Sequence, residues 1–293
     1  MIVSYTLRLV CLCLAVFMVT HVAVGAAVAL FASSAIAAAE RMRPRNGARL
    51  LFALRLLPAA SALFVVAVIC VPGYLWLESE AGPEELGWRC LTAAGLAAVV
   101  CAMSLSNGIR SVFRSTRFAR HCERSGAPVM MLAGVFRPRL VVSRVVREAL
   151  DGEQYDAAVR HEEAHLRSRD NLKRLLLAAT PALGLRALER AWLRMSEWAA
   201  DDESVDGDEL RAVALADALV RVARLGTHPV EVSLLGDDLA RRIDRLLHPQ
   251  PYRTPRIPFL PAAAIAVAAS LAVFVLHAQT LESAQDFFER LMH

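Results

Sequence analysis

The stretch His161-Glu162-Glu163-Ala164-His165 carries the clearest chemical signal in the chain. Residues four apart share one face of a helix, so both imidazoles reach a single ion. Glu162 is offset around the helix, where its carboxylate serves as a base toward a water at that ion rather than as a ligand. A histidine pair on a solvated helix face is the plain alternative. A hydrolytic zinc site needs a third protein ligand and an open fourth position. Glu197-Trp198-Ala199-Ala200-Asp201 offers both a ligand and its support. Glu197 completes a His161/His165/Glu197 set for one Zn2+ per chain, and Asp201, on the same helical face, hydrogen-bonds a ligand imidazole. Read alone, Glu197 is one surface carboxylate among several. Asp202, Glu203, Asp206, Asp208 and Glu209 follow it and read as a solvated acidic surface.

The elements that must position these groups are legible around them. Asp151-Gly152 opens a helical stretch running through Arg169, with Ala157, Ala158, Ala164 and Leu166 as its buried stripe. Before it, Ala127–Ser143 is rich in β-branched residues and contains Gly134 and Pro138. It predicts one or two short strands, the proline placing one at an edge or turn. Residues 110–125 read as a basic helix with a solvated face near anionic headgroups. Leu175–Leu185, with Pro181 and Gly184, is too short to cross a bilayer. It reads as a core helix or interfacial hairpin, with a substrate gate as the sharper alternative.

Composition sets the frame. Of 293 residues, 56% are hydrophobic and 21% charged, and the apolar excess is concentrated in four runs: Leu9–Ala39, Leu56–Leu77, Cys90–Ile109 and Ile257–Leu281. Each is long enough to cross a hydrocarbon core of about 30 Å as a helix. This excludes a disordered chain, a disulfide-rich secreted module and a simple cytosolic enzyme. A net charge of +4 excludes the dense basic face of a nucleic-acid binder. Pro58 and Pro72 fall near the ends of the second run, and Pro258 and Pro261 open the fourth. Ser34–Ala39 has the small residues of a signal-peptidase site, but the first run is longer than a signal core, which favours an uncleaved span.

Flanking charge predicts the orientation. Arg41, Arg43, Arg45, Arg49 and Arg55 crowd the first connection, whereas Glu78, Glu80, Glu84 and Glu85 dominate the second. Arginines follow the third run and precede the fourth. The positive-inside rule then puts both termini outside and residues 110–256 in the cytoplasm of a bacterial inner membrane. The cysteines form no metal-type pair and no disulfide framework. The expected organisation is three transmembrane helices in 1–109, a cytoplasmic α+β zinc metallopeptidase domain in 110–256, and a fourth transmembrane helix with a short external tail in 257–293. The fold class is a mainly α membrane protein with four transmembrane helices.

HEEAH followed by EWAAD resembles the membrane-embedded gluzincin metallopeptidases, in which HExxH is paired with a later ExxxD. Gly134–Ser143 (GVFRPRLVVS) is similar to the segment that precedes the catalytic helix in peptidase family M56, the family of the β-lactam sensor-transducers. His165–Asn171 (HLRSRDN) fits the basic, Asp-containing turn of that family. The resemblance covers roughly residues 50–280, and the two zinc motifs are its specific part. It implies a regulatory protease whose substrate is a cytoplasmic protein such as a winged-helix transcriptional repressor of the BlaI type. Members of the family continue into a large penicillin-binding sensor. This chain runs about a dozen residues past its last apolar run, so β-lactam sensing does not transfer and a signal is expected through the spans, the short loops or a membrane sensor partner. Thr227-His228-Pro229 and Arg242-Ile243 are similar to an element of the related family M48 peptidases, at a longer spacing. His228 and Arg242 are therefore candidates to stabilise an oxyanion, against a helix cap for His228 and a surface or headgroup contact for Arg242.

The expected reaction is peptide hydrolysis, with Glu162 moving the proton and the substrate extended along an edge strand within Val135–Val142. The competing readings are a quality-control protease for membrane proteins, as in family M48, and a non-catalytic scaffold that retains the fold.

Overall fold

The computed structural model describes residues 5–77, 88–125, 128–226, 232–249 and 251–252. The predicted fourth span and tail, the acidic second connection and His228 lie outside these residues. Within them the chain is mainly helical, with one two-stranded antiparallel sheet.

Helix α1 (Tyr5–Arg41) is unbroken through Ser34–Ala39, and only Met42 and Arg43 separate it from α2 (Pro44–Val65). A π-helical turn, Val66–Cys70, joins α2 to α3 (Val71–Leu77), and α4 (Trp88–Ser125) follows. Three helical stretches, Tyr5–Arg41, Pro44–Leu75 and Trp88–Arg114, are long and apolar enough to cross a membrane. The second begins well before the apolar run does. Pro44 occupies the first helical position, where a missing N–H costs nothing. Arg45, Arg49 and Arg55 consequently lie on α2 rather than in a connecting loop, and Pro58 sits inside the helix instead of near its end. Its ring is buried, 4.0 Å from where a side chain on Gly25 of α1 would begin.

Strands β1 (Met130–Ala133) and β2 (Arg139–Val142) form the predicted hairpin, registered Met131 to Val141 and Ala133 to Arg139. Gly134 turns it at φ 97°, a conformation that favours glycine, and Pro138 stands just outside β2. Helix α5 (Arg144–Ala149) is capped by Ser143. Helix α6 (Gly152–Ser168) starts with a capping box, in which Asp151 accepts from the Gln154 N–H and Gln154 reaches back to the Asp151 N–H. Helices α7 (Asp170–Ala179), α8 (Arg186–Val205), α9 (Glu209–Gly226) and α10 (Val232–Leu247) complete the described chain.

One core joins the apolar helices to the helix that carries the second motif. Leu188, Trp192 and Met195 of α8 are buried with Val28 and Ala39 of α1, Ala48 and Leu51 of α2, and Leu177 of α7. The closest approach is at Gly47 of α2, where an added Cβ would stand 2.5 Å from Met195 Cε and 2.7 Å from the Ala39 carbonyl oxygen. Arg194 of α8 also pairs with Glu40 at 2.6 Å. Leu175–Leu185 resolves into the end of α7 and the turn leading to α8. Arg55 of α2, fully buried, holds this turn. Its guanidinium donates to the carbonyls of Thr180 and Pro181 at 3.1 Å each and to Leu177 O at 3.4 Å, and it lies 3.6 Å from Glu189.

Candidate metal centre

The two histidines are presented by α6 because its inward stripe runs Gln154, Ala157, His161, Ala164 and His165, all buried. Leu166, expected on that stripe, is 42% exposed. It continues the half-buried row of Ala158 and Glu162 and leaves the core in the last turn. Helix α8 lies against α6 and offers Glu197, while Ala200 and Asp201 are buried in the contact.

These three side chains converge. His161 Nε2 and His165 Nε2 are 3.2 Å apart, and Glu197 Oε2 is 3.6 Å from each. A tetrahedral ion with bonds of about 2.0–2.1 Å needs ligand atoms roughly 3.3–3.4 Å apart, so the triangle has the right size. The supporting contacts also fix the tautomers. His165 Nδ1 donates to Asp170 Oδ2 at 2.8 Å. His161 Nδ1 lies 3.0 Å from Asp201 Oδ1, a charge contact turned off the hydrogen-bond line. With both Nδ1 atoms against acceptor-only carboxylates, both Nε2 lone pairs face one point.

Asp170 is the site residue that the motifs alone do not assign. It follows Arg169, a non-glycine residue at φ 55° that breaks α6 from α7 and lets the first residue of α7 reach back to His165. The signal was present as an aspartate five positions after the second histidine. Lys173 Nζ holds its other oxygen at 2.9 Å. The next residue, Asn171, donates from Nδ2 to the carbonyls of Leu132 and Gly134 at 3.0 and 2.7 Å, which ties β1 to the site.

Arg242 of α10 belongs to the cluster, not to a surface or headgroup contact. It donates twice to Asp201, at 2.9 and 2.7 Å, and its Nη1 lies 3.2 Å from Glu197 Oε2. Nor are the carboxylates after Asp201 all simply solvated. Asp202 accepts from Arg245 and Tyr252, Glu203 pairs with Arg167 at 2.6 Å, and Asp208 accepts from the first backbone amides of α9.

Charge follows this geometry. Burial alone would lower the pKa of His165, but Asp170 and Glu197 outweigh it and push it up to about 9. His161 is likewise raised, by Asp201 and Glu197 against burial and Arg242. Burial works to raise Glu197, and the two histidines with Arg242 instead hold it well below the usual carboxylate range. Glu162 goes the other way. Burial raises it, Glu197 adds to the rise, and the histidines and the Leu132 backbone amide offset only part. A carboxylate moved toward neutrality suits a proton acceptor that must later donate.

The centre opens into a cavity of about 1150 Å³. His161, Glu162, His165 and Glu197 stand on its wall, and Met131, Leu132 and Val135 of the hairpin also line it. Of the segment expected to receive substrate, only Val135 reaches this space, and the strand that borders it is β1. Among protein-family models, curated proteins and solved structures, nothing matches this chain. The geometry of the site is therefore the ground for a functional reading.

Proposed function

We propose that the protein is an integral-membrane zinc endopeptidase of the gluzincin type, with its site in the cytoplasm of a bacterial cell. One observation carries this reading: two imidazole nitrogens face each other at 3.2 Å with a carboxylate 3.6 Å from both, while carboxylates flank their far nitrogens. An ion at this point would accept both Nε2 lone pairs and the carboxylate together.

His161, His165 and Glu197 would hold the zinc, and Asp170 and Asp201 would orient the two rings. When bound, the ion supplies a Lewis acid that makes water acidic near neutral pH and polarises a carbonyl. Glu162, on the cavity wall and not among the ligands, takes a proton from the attacking water. Hydroxyl adds to the peptide carbon, the C–N bond breaks, and Glu162 returns the proton to the departing amine. Arg242 anchors Asp201 and stands 3.5 Å from His161 Nε2, close enough to face developing oxyanion charge. Substrate would lie extended in the cavity beside Met131, Leu132 and Val135. A cytoplasmic regulator such as a BlaI-like repressor is the substrate class that the motif resemblance favours.

The test compares the purified full-length protein with Glu162→Gln. Both are expected to bind one zinc per chain, and the variant to lose cleavage of a protein substrate by about 10²–10⁴-fold. Equal cleavage by both proteins would overturn the assignment of the base. Absence of zinc from both, with no cleavage, would establish a scaffold.

A further inference from the structure

The cavity has a second chemical character beyond the metal centre. Helix α8 lines it with Arg186, Glu189, Arg190, Leu193 and Glu197, one continuous face leading away from the zinc ligand. Arg114 of α4 faces the same space. Glu189 is engaged by Arg55 at 3.6 Å, but no carboxylate among the described residues pairs with Arg114, Arg186 or Arg190. The wall therefore presents uncompensated guanidinium groups to whatever fills the cavity, in a recess that strengthens their field.

Their spacing says where they act. At a rise of 1.5 Å per residue, Arg190 lies about 10 Å along α8 from Glu197, and Arg186 about 16 Å. An extended peptide advances about 3.3 Å per residue. Resting on the peptidase reading above, we propose that Arg186 and Arg190 select a substrate with acidic side chains about three and five residues from the scissile bond. Leu193, nearer the centre, would face an apolar side chain about two residues away. An anionic lipid headgroup is the competing occupant of a basic wall near an apolar helix. The peptide is favoured because the arginines continue the face that carries the zinc ligand and line the same cavity.

The experiment uses full-length, zinc-loaded protein in neutral-lipid nanodiscs. Matched peptides carry Glu, Gln or Lys at the third and fifth positions, on either side of a common cleavable core. Two partly exposed ion pairs predict about a tenfold higher kcat/KM for the Glu peptide than for its Gln counterpart, on one side only. That preference should shrink as salt is raised. The double variant Arg186→Glu, Arg190→Glu, with zinc content confirmed, should invert it toward the Lys peptide. Equal cleavage of the three peptides, or an unchanged order in the double variant, overturns the selection. If anionic lipid binding falls in the variant while its peptide order stays, the wall belongs to headgroups and the inference is wrong. If zinc is bound and no peptide or protein is cut, the peptidase reading itself has failed.

Discussion

Protons and the proposed metal would compete for the same nitrogens in this site. The raised pKa values of His161 and His165 mean that, without a cation, their carboxylate partners draw protons onto both rings. The sign follows: this contribution to stability is complete below about pH 6.5, the ordinary histidine value, and is lost as pH rises through about 9 for His165. Zinc needs the unprotonated rings, so its binding must release protons at neutral pH, and its affinity should climb with pH until about 9. Calorimetric titration in buffers of different ionisation enthalpy reads the released protons directly; a pH-independent affinity between pH 6 and about 8.5 would contradict the raised values. Asp170→Asn keeps the shape but weakens the hold on the His165 tautomer. Zinc affinity is expected to fall about 10–100-fold, measured by chelator competition.

At the scale of elements, the contact between α2 and α8 depends on a missing side chain. Gly47→Ala drives a methyl group against the Ala39 carbonyl oxygen, which is backbone and cannot rotate away. We expect a loss of about 1–3 kcal/mol, seen as a lowered melting temperature in detergent. Gly95→Ala in α4 meets nothing within 4 Å and is expected to leave stability equal or slightly raised. Local pattern made several elements readable. The β-branched residues around Gly134 announced the hairpin, and Asp151 with Gln154 announced the start of α6. The start of α2 was hidden, because Arg45, Arg49 and Arg55 interrupt the apolar signal while the backbone stays helical. The candidate ligands His161 and His165 were legible because helical periodicity fixes positions four apart. Arg242 was not placed by the sequence, since α10 meets α8 only through tertiary packing.

Across the whole molecule, the candidate metal centre and the apolar helices are joined by the core around Trp192, Met195 and Leu51. Arg55 adds a polar link, reaching from α2 to the turn between α7 and α8. In Arg55→Met the carbonyls of Leu177, Thr180 and Pro181 lose a buried charged donor, at a cost of about 3 kcal/mol. The turn should loosen, and limited trypsin digestion should cut after Arg186 faster than in the wild type. Digestion at the wild-type rate would show that the turn is held by packing alone.

The same arginine imposes an order on synthesis. Its partners lie 122 to 126 residues downstream, so at about 5–20 residues per second they leave the ribosome roughly 6–25 s after it does. For that interval Arg55, at the edge of the apolar run, stands without its carbonyl cradle and keeps its charge among water and headgroups. A chain that stops before Leu177 never acquires the cradle. Truncated products should therefore lack the tie between α2 and this turn, so that the second helix takes its final seat only once the turn beside the candidate metal centre has been made.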